Sequence, residues 1–405
     1  MRPLHFYLVG TGTWFLAFGL QGVMFSWLVT LVLRESPERV GLAQMALLLP
    51  GTLLILLGGS LADRLGGRRV VMVAQLVAAA APLLLLGVLS NDALTFAVML
   101  CYALLMGTAQ AFVTPARDGL LNQVAEGRVQ RAIMLTSMIQ FGLQIFGFAL
   151  ASLVDRWGAT PILAVQSLVL LVGVLSFWRL HPEAPRREHG VSPPLLQSVR
   201  EGGRTVLASS SMRMIVLQNV AMALFFMGSF IVTMPLLIRE VFAGTARDLA
   251  FVNTCNSLGL VSSIILLLRL GDVQRQGRAL ILSQALGALV LVVAAFASSL
   301  TLFAVSVFFW GACGGVAMTM SRTIMQMQAP DAQRGRIMSF YALSFQGAGP
   351  LGALLNGVLV DQLGPQRALM ICGVLMTVIM VVIGVRSGLW RFRGHAFLRA
   401  DGRDG

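Results

Sequence analysis

The chain has 405 residues, of which 57% are hydrophobic and 12% are charged, and its mean hydropathy is +0.82. Soluble globular proteins have fewer apolar residues and interrupt them with charge, so this composition excludes an ordinary soluble protein. The net charge is +13, and each of the 30 basic residues is an arginine. In so apolar a chain, a membrane topology accounts for this charge, and no nucleic-acid partner is inferred.

Twelve apolar runs of about 20 residues follow one another along the chain, and each is long enough to cross a bilayer as a helix. None of them contains Asp, Glu, Arg or His. They lack the alternation over about ten residues that membrane β-strands show. The sequence therefore predicts an all-α membrane protein with twelve transmembrane helices, numbered spans 1 to 12: residues 6–32, 40–62, 70–90, 93–115, 132–154, 159–178, 214–238, 249–268, 279–298, 301–321, 337–360 and 368–385.

The arginines are distributed unevenly between the two sides of these spans. With the N-terminus placed in the cytoplasm, 24 arginines lie in inner segments and six lie in outer loops. This asymmetry follows the positive-inside rule. The sequence therefore predicts a multi-pass protein of the bacterial cytoplasmic (inner) membrane with both termini in the cytoplasm.

One long polar segment, residues 181–213, divides the spans into two sets of six. It contains four prolines and then a stretch from Leu195 to Leu207 that favours an amphipathic surface helix. The two halves also resemble each other in sequence. In each half the fifth span ends with Val-Asp-x-x-Gly, in "ALASLVDRWG" (149–158) and in "ALLNGVLVDQLG" (353–364). Such a repeat predicts two six-helix bundles related by a pseudo-two-fold axis along the membrane normal. The predicted domains are an N-terminal bundle (1–180), a cytoplasmic linker (181–213), a C-terminal bundle (214–392) and a cytoplasmic tail (393–405).

The turn "GGSLADRLGGRR" (58–69), between spans 2 and 3, concentrates charges and glycines. Asp63 lies at the cytoplasmic C-terminus of span 2, where the helix dipole disfavours a carboxylate, so it needs a partner elsewhere. The N-terminus of span 11, which starts near Ile337, is a candidate partner in the other bundle. The turn is therefore either a gate latch or only a topology anchor. The predicted gate residues are Asp63, Arg64, Gly59, Gly66, Arg68 and Arg117, the last of which either snorkels or pairs with Asp63.

Polar side chains recur at helical spacing on three spans. On span 1 they are Thr11, Trp14 and Gln21, and on span 5 they are Ser137, Gln140, Gln144 and Gly147. On span 7 they are Gln218, Met222, Ser229 and Thr233. Such faces either hold helices together or line a water-filled cavity, and the pattern leaves both interpretations open.

The sequence contains no pattern for catalysis or metal binding. Four cysteines lie singly in four spans without metal-ligand spacing, and the four histidines lie outside the spans. A nucleophile–base pair and a GxxxxGK[ST] nucleotide loop are both missing. The sequence therefore predicts neither an enzyme nor an ATP-driven pump, and it predicts no cofactor and no metal.

The pattern Gly59-x-Leu61-Ala62-Asp63-Arg64-x-Gly66-x-Arg68 resembles the loop signature of the major facilitator superfamily. Three further stretches resemble the branch that contains the enterobactin exporter and macrolide efflux pumps: "TPARDGLLNQV" (114–124), "SVREGGR" (198–204) and "RGRIMSFYALSFQGAGPLGAL" (334–354). The resemblance covers the whole chain. It implies a pathway lined by spans 1, 4, 7 and 10 and bordered by span 5, with Trp14, Gln21, Gln140, Gln144, Gln218, Met222 and Trp310 as the substrate-cavity residues.

Two departures from the family pattern bear on the gate and on export. Gly147-Phe148 stands where many exporters have Gly-Pro, and Gln274 replaces the aspartate of the loop in the second half. The gate would then contain a single carboxylate, that of Asp63.

The resemblance and the uncharged, polar, aromatic and Met-containing spans together predict a secondary active transporter. We expect it to export an amphipathic small molecule, drug- or siderophore-like, by alternating access, since a charged substrate would require a buried Arg or Asp. The alternatives are an importer or facilitator of a lysolipid or another solute, and a non-transporting membrane sensor. The expected partners are the small-molecule substrate, the lipid bilayer and protons, and the expected state is a monomer.

Proton-driven exporters of this superfamily commonly use carboxylates within the membrane, and the twelve spans contain none. The coupling candidates are therefore the acids near the membrane faces. Asp155 and Asp361 occupy matching positions in the repeat, where water reaches them. Asp63 is the preferred candidate because closing the cytoplasmic gate would bury it and opening would hydrate it, with Arg117 modulating its proton affinity.

Overall fold

A computed structural model describes residues 3–125, 129–181, 195–271, 273–330 and 333–392 of the chain. Within these ranges the regular structure is helical and includes no strand, which confirms the all-α prediction. The helices of the N-terminal half are α1 (Pro3–Trp27, continued by a π-helical turn, Leu28–Val32), α2 (Pro37–Leu65), α3 (Gly67–Leu89), α4 (Phe96–Val124), α5 (Val129–Ala151), α6 (Val154–Trp157) and α7 (Ala159–Arg179).

The C-terminal half begins with α8 (Leu195–Ala208), in the segment between the two sets of spans. The following helices are α9 (Ser210–Ala221), two π-helical segments (Met222–Met227 and Ser229–Thr233), α10 (Met234–Glu240), α11 (Ala246–Leu270), α12 (Gln276–Ala294), α13 (Leu300–Gln328), α14 (Arg334–Leu363) and α15 (Pro365–Arg386), with a final 3-10 turn at Gly388–Arg391. The predicted linker residues 182–194 and the predicted tail 393–405 lie outside the described residues.

The helix inventory agrees with the predicted spans. In the described part, 11 helices are long and apolar enough to cross a membrane. Span 2 corresponds to α2, whose 29 residues extend about 44 Å at 1.5 Å per residue, more than a bilayer core requires. The twelve-helix prediction is thereby supported, and the chain is a multi-pass membrane protein.

Hydroxyl side chains begin several of the long helices. Thr95 accepts a hydrogen bond from the backbone N–H of Val98 at the start of α4, and Ser299 accepts one from Leu302 at the start of α13. Such N-caps satisfy donors that the first helical turn leaves unpaired. α4 and α13 are both 29 residues long and occupy the fourth position of their half, so the same cap recurs at equivalent places in the repeat.

The chain forms two compact units. The first contains Met1–Leu195, Phe226–Thr254 and Gln346–Ala368, and the second contains Leu196–Phe225, Cys255–Phe345 and Leu369–Gly405. The unit that holds the N-terminal half thus also takes in parts of spans 7, 8 and 11. The predicted division into two six-helix bundles joined by a linker stays a prediction.

In the first unit α1 packs on α5 and α7, α2 packs on α4, and α3 packs on α4 and α7. Its core includes Phe25, whose ring stacks on Tyr102 at a centroid distance of 6.0 Å, and Tyr7, which meets Phe177 edge to face. Large apolar side chains such as Leu84 and Leu168 are exposed. Exposed apolar surface of this extent suits a lipid environment rather than water.

Candidate substrate cavity and gate residues

A cavity of about 190 Å³ lies within the first unit. Helices α1, α2, α4, α5 and α11 line it, together with the π-helical part of span 7 and the start of α10. Its polar side chains are Gln21, Ser26, Gln44, Gln110, Gln144 and Asn253. The remaining wall is mostly aromatic and aliphatic, with Phe18, Phe25, Phe148, Met227, Phe230 and Met234 among its side chains, and the described lining carries no charged residue.

Three of the carboxamides in this cavity have no hydrogen-bond partner among the described residues: those of Gln21, Gln110 and Gln144. The Gln21 side chain is nevertheless well enclosed, since the residue is only 4% exposed. By contrast, Gln44 donates to the Ser26 hydroxyl at 3.3 Å and Asn253 donates to the Leu249 carbonyl of its own helix. Of the three unpaired glutamines, only Gln21 is buried, whereas Gln110 and Gln144 are half-buried. Their donors and acceptors are therefore available to a ligand or to water in the cavity.

Helical periodicity brings Gln21 and Gln144 to this cavity. Residues three and four positions apart share one face of a helix, and the α1 lining residues include Phe18, Gln21, Phe25 and Ser26. Trp14, one turn before Phe18 on α1, is buried at 5% exposure but does not line the cavity. Gln140, one turn before Gln144 on α5, does not line it either.

The predicted cavity residues of the C-terminal half lie in the second unit. Gln218 and Met222 contact each other, with Gln218 Nε2 at 3.9 Å from Met222 Sδ. Gln284 of α12 donates to the same sulfur at 3.3 Å, a contact that the sequence pattern did not indicate. The side-chain oxygens of Gln218 and Gln284 are buried without a partner in the described part. Trp310 of α13 is also buried, at 6% exposure.

The predicted gate turn joins α2 to α3. Gly66 stands between the two helices with φ of +87°, a conformation that side-chain-bearing residues rarely adopt. Arg68 donates to the carbonyls of Phe177 and Trp178 at the end of α7, where unpaired carbonyls and the helix dipole favour a cation. Arg64 is exposed, and Gly59 has open space around it apart from Pro115. The Asp63 side chain lies outside the described part, so its partner stays a prediction.

Arg117 projects into the first unit rather than out to solvent. The residue is 8% exposed, and its guanidinium lies 4.7 Å from the centre of the Phe15 ring. Nε and Nη2 both donate to Asp118 Oδ1, at 3.2 and 3.1 Å. Its charge is therefore balanced by an adjacent carboxylate and an aromatic face.

Asp155 and Asp361 differ in their surroundings although they match in the repeat. Asp155, on the short helix α6, accepts hydrogen bonds from the backbone N–H groups of Arg247 at 3.0 Å and Ala246 at 3.4 Å. These are the first residues of α11, so Asp155 caps that helix. Asp361 is exposed and has no hydrogen-bond or ion-pair partner among the described residues.

Arg239, at the end of α10, is a functional candidate that the sequence pattern did not reveal. Its Nη1 donates to the carbonyls of Thr30 at 3.1 Å and Glu35 at 2.9 Å, where the first span ends. Nη2 also pairs with the Glu240 carboxylate. Arg239 is one of only six arginines assigned to the outer loops, and that rarity is the one signal the sequence offers.

The model of a protein family described as "transmembrane secretion effector" matches residues 7–396, nearly the whole chain. The chain belongs to this family of major facilitator superfamily transporters. The transporter is 23% identical over 381 residues to the staphyloferrin A transporter of Staphylococcus aureus, with 91% of each chain covered. It is 25% identical over 311 residues to the multidrug resistance protein MdtG of Yersinia enterocolitica, covering 75% of this chain and 72% of that one.

Solved structures with the same fold include the nucleoside transporter NupG, at a TM-score of 0.77 and 13% identity, with 97% of this chain and all of that chain covered. An auto-inhibited peptide transporter of the POT family gives a TM-score of 0.74 at 14% identity, with 98% and 99% covered. At such identities the likeness shows the fold alone. The family and its members confirm that the transporter is not an enzyme and that the superfamily resemblance is correct.

Proposed function

We propose that this transporter exports an amphipathic, drug- or siderophore-like small molecule that carries little net charge, across the bacterial cytoplasmic membrane, with both termini in the cytoplasm. The observation that carries the proposal is the cavity of the first unit, which combines three unpaired carboxamides with aromatic and Met side chains and no charge. The names of the staphyloferrin A and multidrug resistance relatives support the substrate class, and the family's description as a secretion effector supports the outward direction.

The chemistry of the cavity favours neutral ligands with hydrogen-bonding groups. Each carboxamide offers two donors and one acceptor oxygen, so the set can match amides, hydroxyls and carbonyls in several orientations. Phenylalanine rings supply flat apolar surface, and methionine side chains adapt to different shapes. A fully charged ligand would lose its hydration without gaining a counter-charge, which is expensive in a low-dielectric site.

The cavity volume implies a change of shape during transport. Sites for drug-sized ligands measure about 300–1,000 Å³. At about 190 Å³ the cavity accepts only part of such a ligand, so it has to widen when the substrate enters.

Contacts between residues of the two halves of the chain provide a candidate outer gate in the first unit. Asp155 caps α11, and Arg239 binds the carbonyls that end the first span. In the predicted orientation both contacts lie at the outer face. Alternating access would require them to break when the substrate leaves, and Asp63 would act at the opposite face as the coupling group, with Arg117 beside it.

A vesicle assay with probes of three charge types tests the proposal. Radiolabelled chloramphenicol serves as the neutral, amide-bearing probe, tetraphenylphosphonium as the cation and salicylate as the anion. Inside-out membrane vesicles that contain the transporter should accumulate chloramphenicol above vesicles without it, and right-side-out vesicles should not. Accumulation only in right-side-out vesicles would instead establish an importer. A preference for either ion over the neutral probe would contradict the proposed substrate class.

A further inference from the structure

The wall that span 7 contributes to the cavity is not an ordinary α-helix. Between Ala221 and Met234 the chain forms two π-helical segments, Met222–Met227 and Ser229–Thr233, with Gly228 between them. π-helical turns are rare, mostly occur singly, and are found frequently at functional sites. A helix therefore needs a specific contact to hold this conformation.

Asn356 of α14 provides such a contact for the second π-helical segment. It is fully buried, and its Oδ1 accepts hydrogen bonds from the hydroxyls of Ser229 at 3.1 Å and Thr233 at 3.0 Å. Its Nδ2 donates to the Gly352 carbonyl one turn earlier in α14, at 2.9 Å. Both hydroxyls are themselves fully buried. In a membrane, where water offers no alternative partner, such hydrogen bonds define how two helices pack.

Gly228 shows how closely the two helices approach at this point. A Cβ atom on Gly228 would collide with the Asn356 amide nitrogen and with the Gly352 carbonyl oxygen. Only glycine therefore allows the helices to approach closely enough for the two hydroxyls that follow it to reach Asn356. The side chains of Ser229 and Thr233 thus serve helix packing, the first of the two interpretations that the sequence left open.

Neighbouring residues of span 7 face the cavity. Met227 and Phe230 belong to its wall, as do Met234 and Pro235 at the start of α10. One short stretch therefore alternates between side chains bound to α14 and side chains directed at the cavity. A return to α-helical geometry would change the angle between successive residues and rotate Met227 and Phe230 along the wall.

We propose that Asn356 is a positioning residue for the substrate cavity, which it shapes by holding Ser229 and Thr233 so that Met227 and Phe230 form the wall. This inference rests on the proposed function, because it assumes that the cavity receives the substrate. Asn356 does not line the cavity and acts only through the π-helical segment.

The test measures which positions of the segment react with a thiol reagent. Single cysteines are placed at positions 227, 229, 230 and 233 in full-length protein whose four native cysteines are replaced by alanine. The probe is 2-hydroxyethyl methanethiosulfonate, which is small, uncharged and soluble in water. Cysteines at 227 and 230 should react at least about tenfold faster than those at 229 and 233, because a buried position reacts only through local opening.

Asn356→Ala should reduce this contrast several-fold, by slowing the reaction at 227 and 230 or by exposing 229 and 233. Thr233→Val removes one of the two hydroxyl contacts at nearly constant shape and should have a smaller effect in the same direction, measured with cysteines at 227, 229 and 230. It also keeps the test decisive if Asn356→Ala does not fold. The matched control is Gln75→Leu, which removes a buried carboxamide bound to Thr13 and Leu170, neither of which lines the cavity. The control should leave the contrast unchanged.

An unchanged contrast in folded Asn356→Ala or Thr233→Val protein would overturn the proposal, as would an equal loss in Gln75→Leu. The labelling pattern does not depend on transport. If the wild-type transporter moves none of the three vesicle probes but Asn356→Ala still loses the labelling pattern, the positioning role is supported and only the proposed function is contradicted.

Discussion

Asp155 caps the helix that begins at Ala246, since its carboxylate accepts hydrogen bonds from the backbone N–H groups of Ala246 and Arg247. The two partners are about 90 residues apart in the chain and belong to opposite halves of the repeat. The sequence predicts the same kind of contact for Asp63 and span 11 at the other face. An acidic cap on a helix from the other half of the chain is thus present at one face of this transporter and expected at the other.

Asp155→Asn should weaken the proposed outer gate. The substitution keeps the shape and one acceptor oxygen but removes a charge–dipole interaction worth about 0.3–1 kcal/mol at an exposed site. The population open at the outer face should rise. Double electron–electron resonance can detect this as longer distances between labels at Asn91, in a predicted outer loop, and at Ser298, at the outer end of predicted span 9. Asp361→Asn is the matched control, because Asp361 is exposed and has no partner in the described part. Equal distance distributions in both variants would show that the cap does not contribute to gating.

Arg239→Lys should act on the same gate through geometry rather than charge. The guanidinium donates to two carbonyls and pairs with Glu240, whereas an ammonium lacks the planar fork that reaches several acceptors at once. Hydrogen bonds that involve a charged group are worth about 1.5–3 kcal/mol each, so the loss of one of them should raise the population open at the outer face. The same spin labels measure it. A lysine variant that behaves like the wild type would indicate that only the charge matters.

Gln144→Glu should change which ligands the transporter accepts. A carboxylate in a cavity that otherwise lacks charge gives a cation the partner that it needs there. Transport of tetraphenylphosphonium relative to chloramphenicol should increase at least about tenfold, which corresponds to 1.4 kcal/mol. Gln140→Glu, one turn away and outside the cavity lining, should produce a smaller change. An equal effect at both positions would place the ligand elsewhere.

Asp63→Asn should abolish proton coupling if Asp63 is the coupling group. In liposomes that contain a pH-sensitive dye, adding substrate should move protons with the wild-type protein and not with the variant. Asp155→Asn and Asp361→Asn should retain the movement, although Asp155→Asn alters gating. Proton movement that persists in Asp63→Asn would exclude Asp63 as the coupling group and would leave Asp155 and Asp361 as the candidates.

Hydropathy predicted the membrane helices well but ended several of them too early. Span 4 was predicted to end at Pro115, where polar residues begin, yet α4 continues to Val124. Apolar runs mark the part of a helix that lies in lipid, whereas hydrogen bonds within the helix continue into the polar region. The charge pattern likewise predicts orientation and cannot show which helix ends meet.

The candidate site was only partly predictable for a related reason. Gln144 lies four residues after Gln140, and Gln21 lies seven residues after Trp14 on the same helix face, and this spacing identified them. Gln44 has only apolar residues or glycine three and four positions away, so no periodic face indicated that it lines the same cavity. The second π-helical segment is bound by Asn356, more than 120 residues away in the chain, and a period of 3.6 residues does not indicate such a segment.

The central claim is that the cavity of the first unit binds the substrate through its unpaired carboxamides. Its most direct test is equilibrium binding of radiolabelled chloramphenicol to the purified transporter. The wild type is compared with a double variant that carries both Gln21→Leu and Gln144→Leu, and with the single variant Gln75→Leu. Gln75 is a buried carboxamide bound to Thr13 and Leu170 outside the cavity, so it controls for the loss of a buried amide. We predict at least about tenfold weaker binding in the double variant, a change of 1.4 kcal/mol, and wild-type binding in Gln75→Leu. Unchanged affinity in the double variant, or an equal loss in both variants, would contradict this assignment of the substrate site.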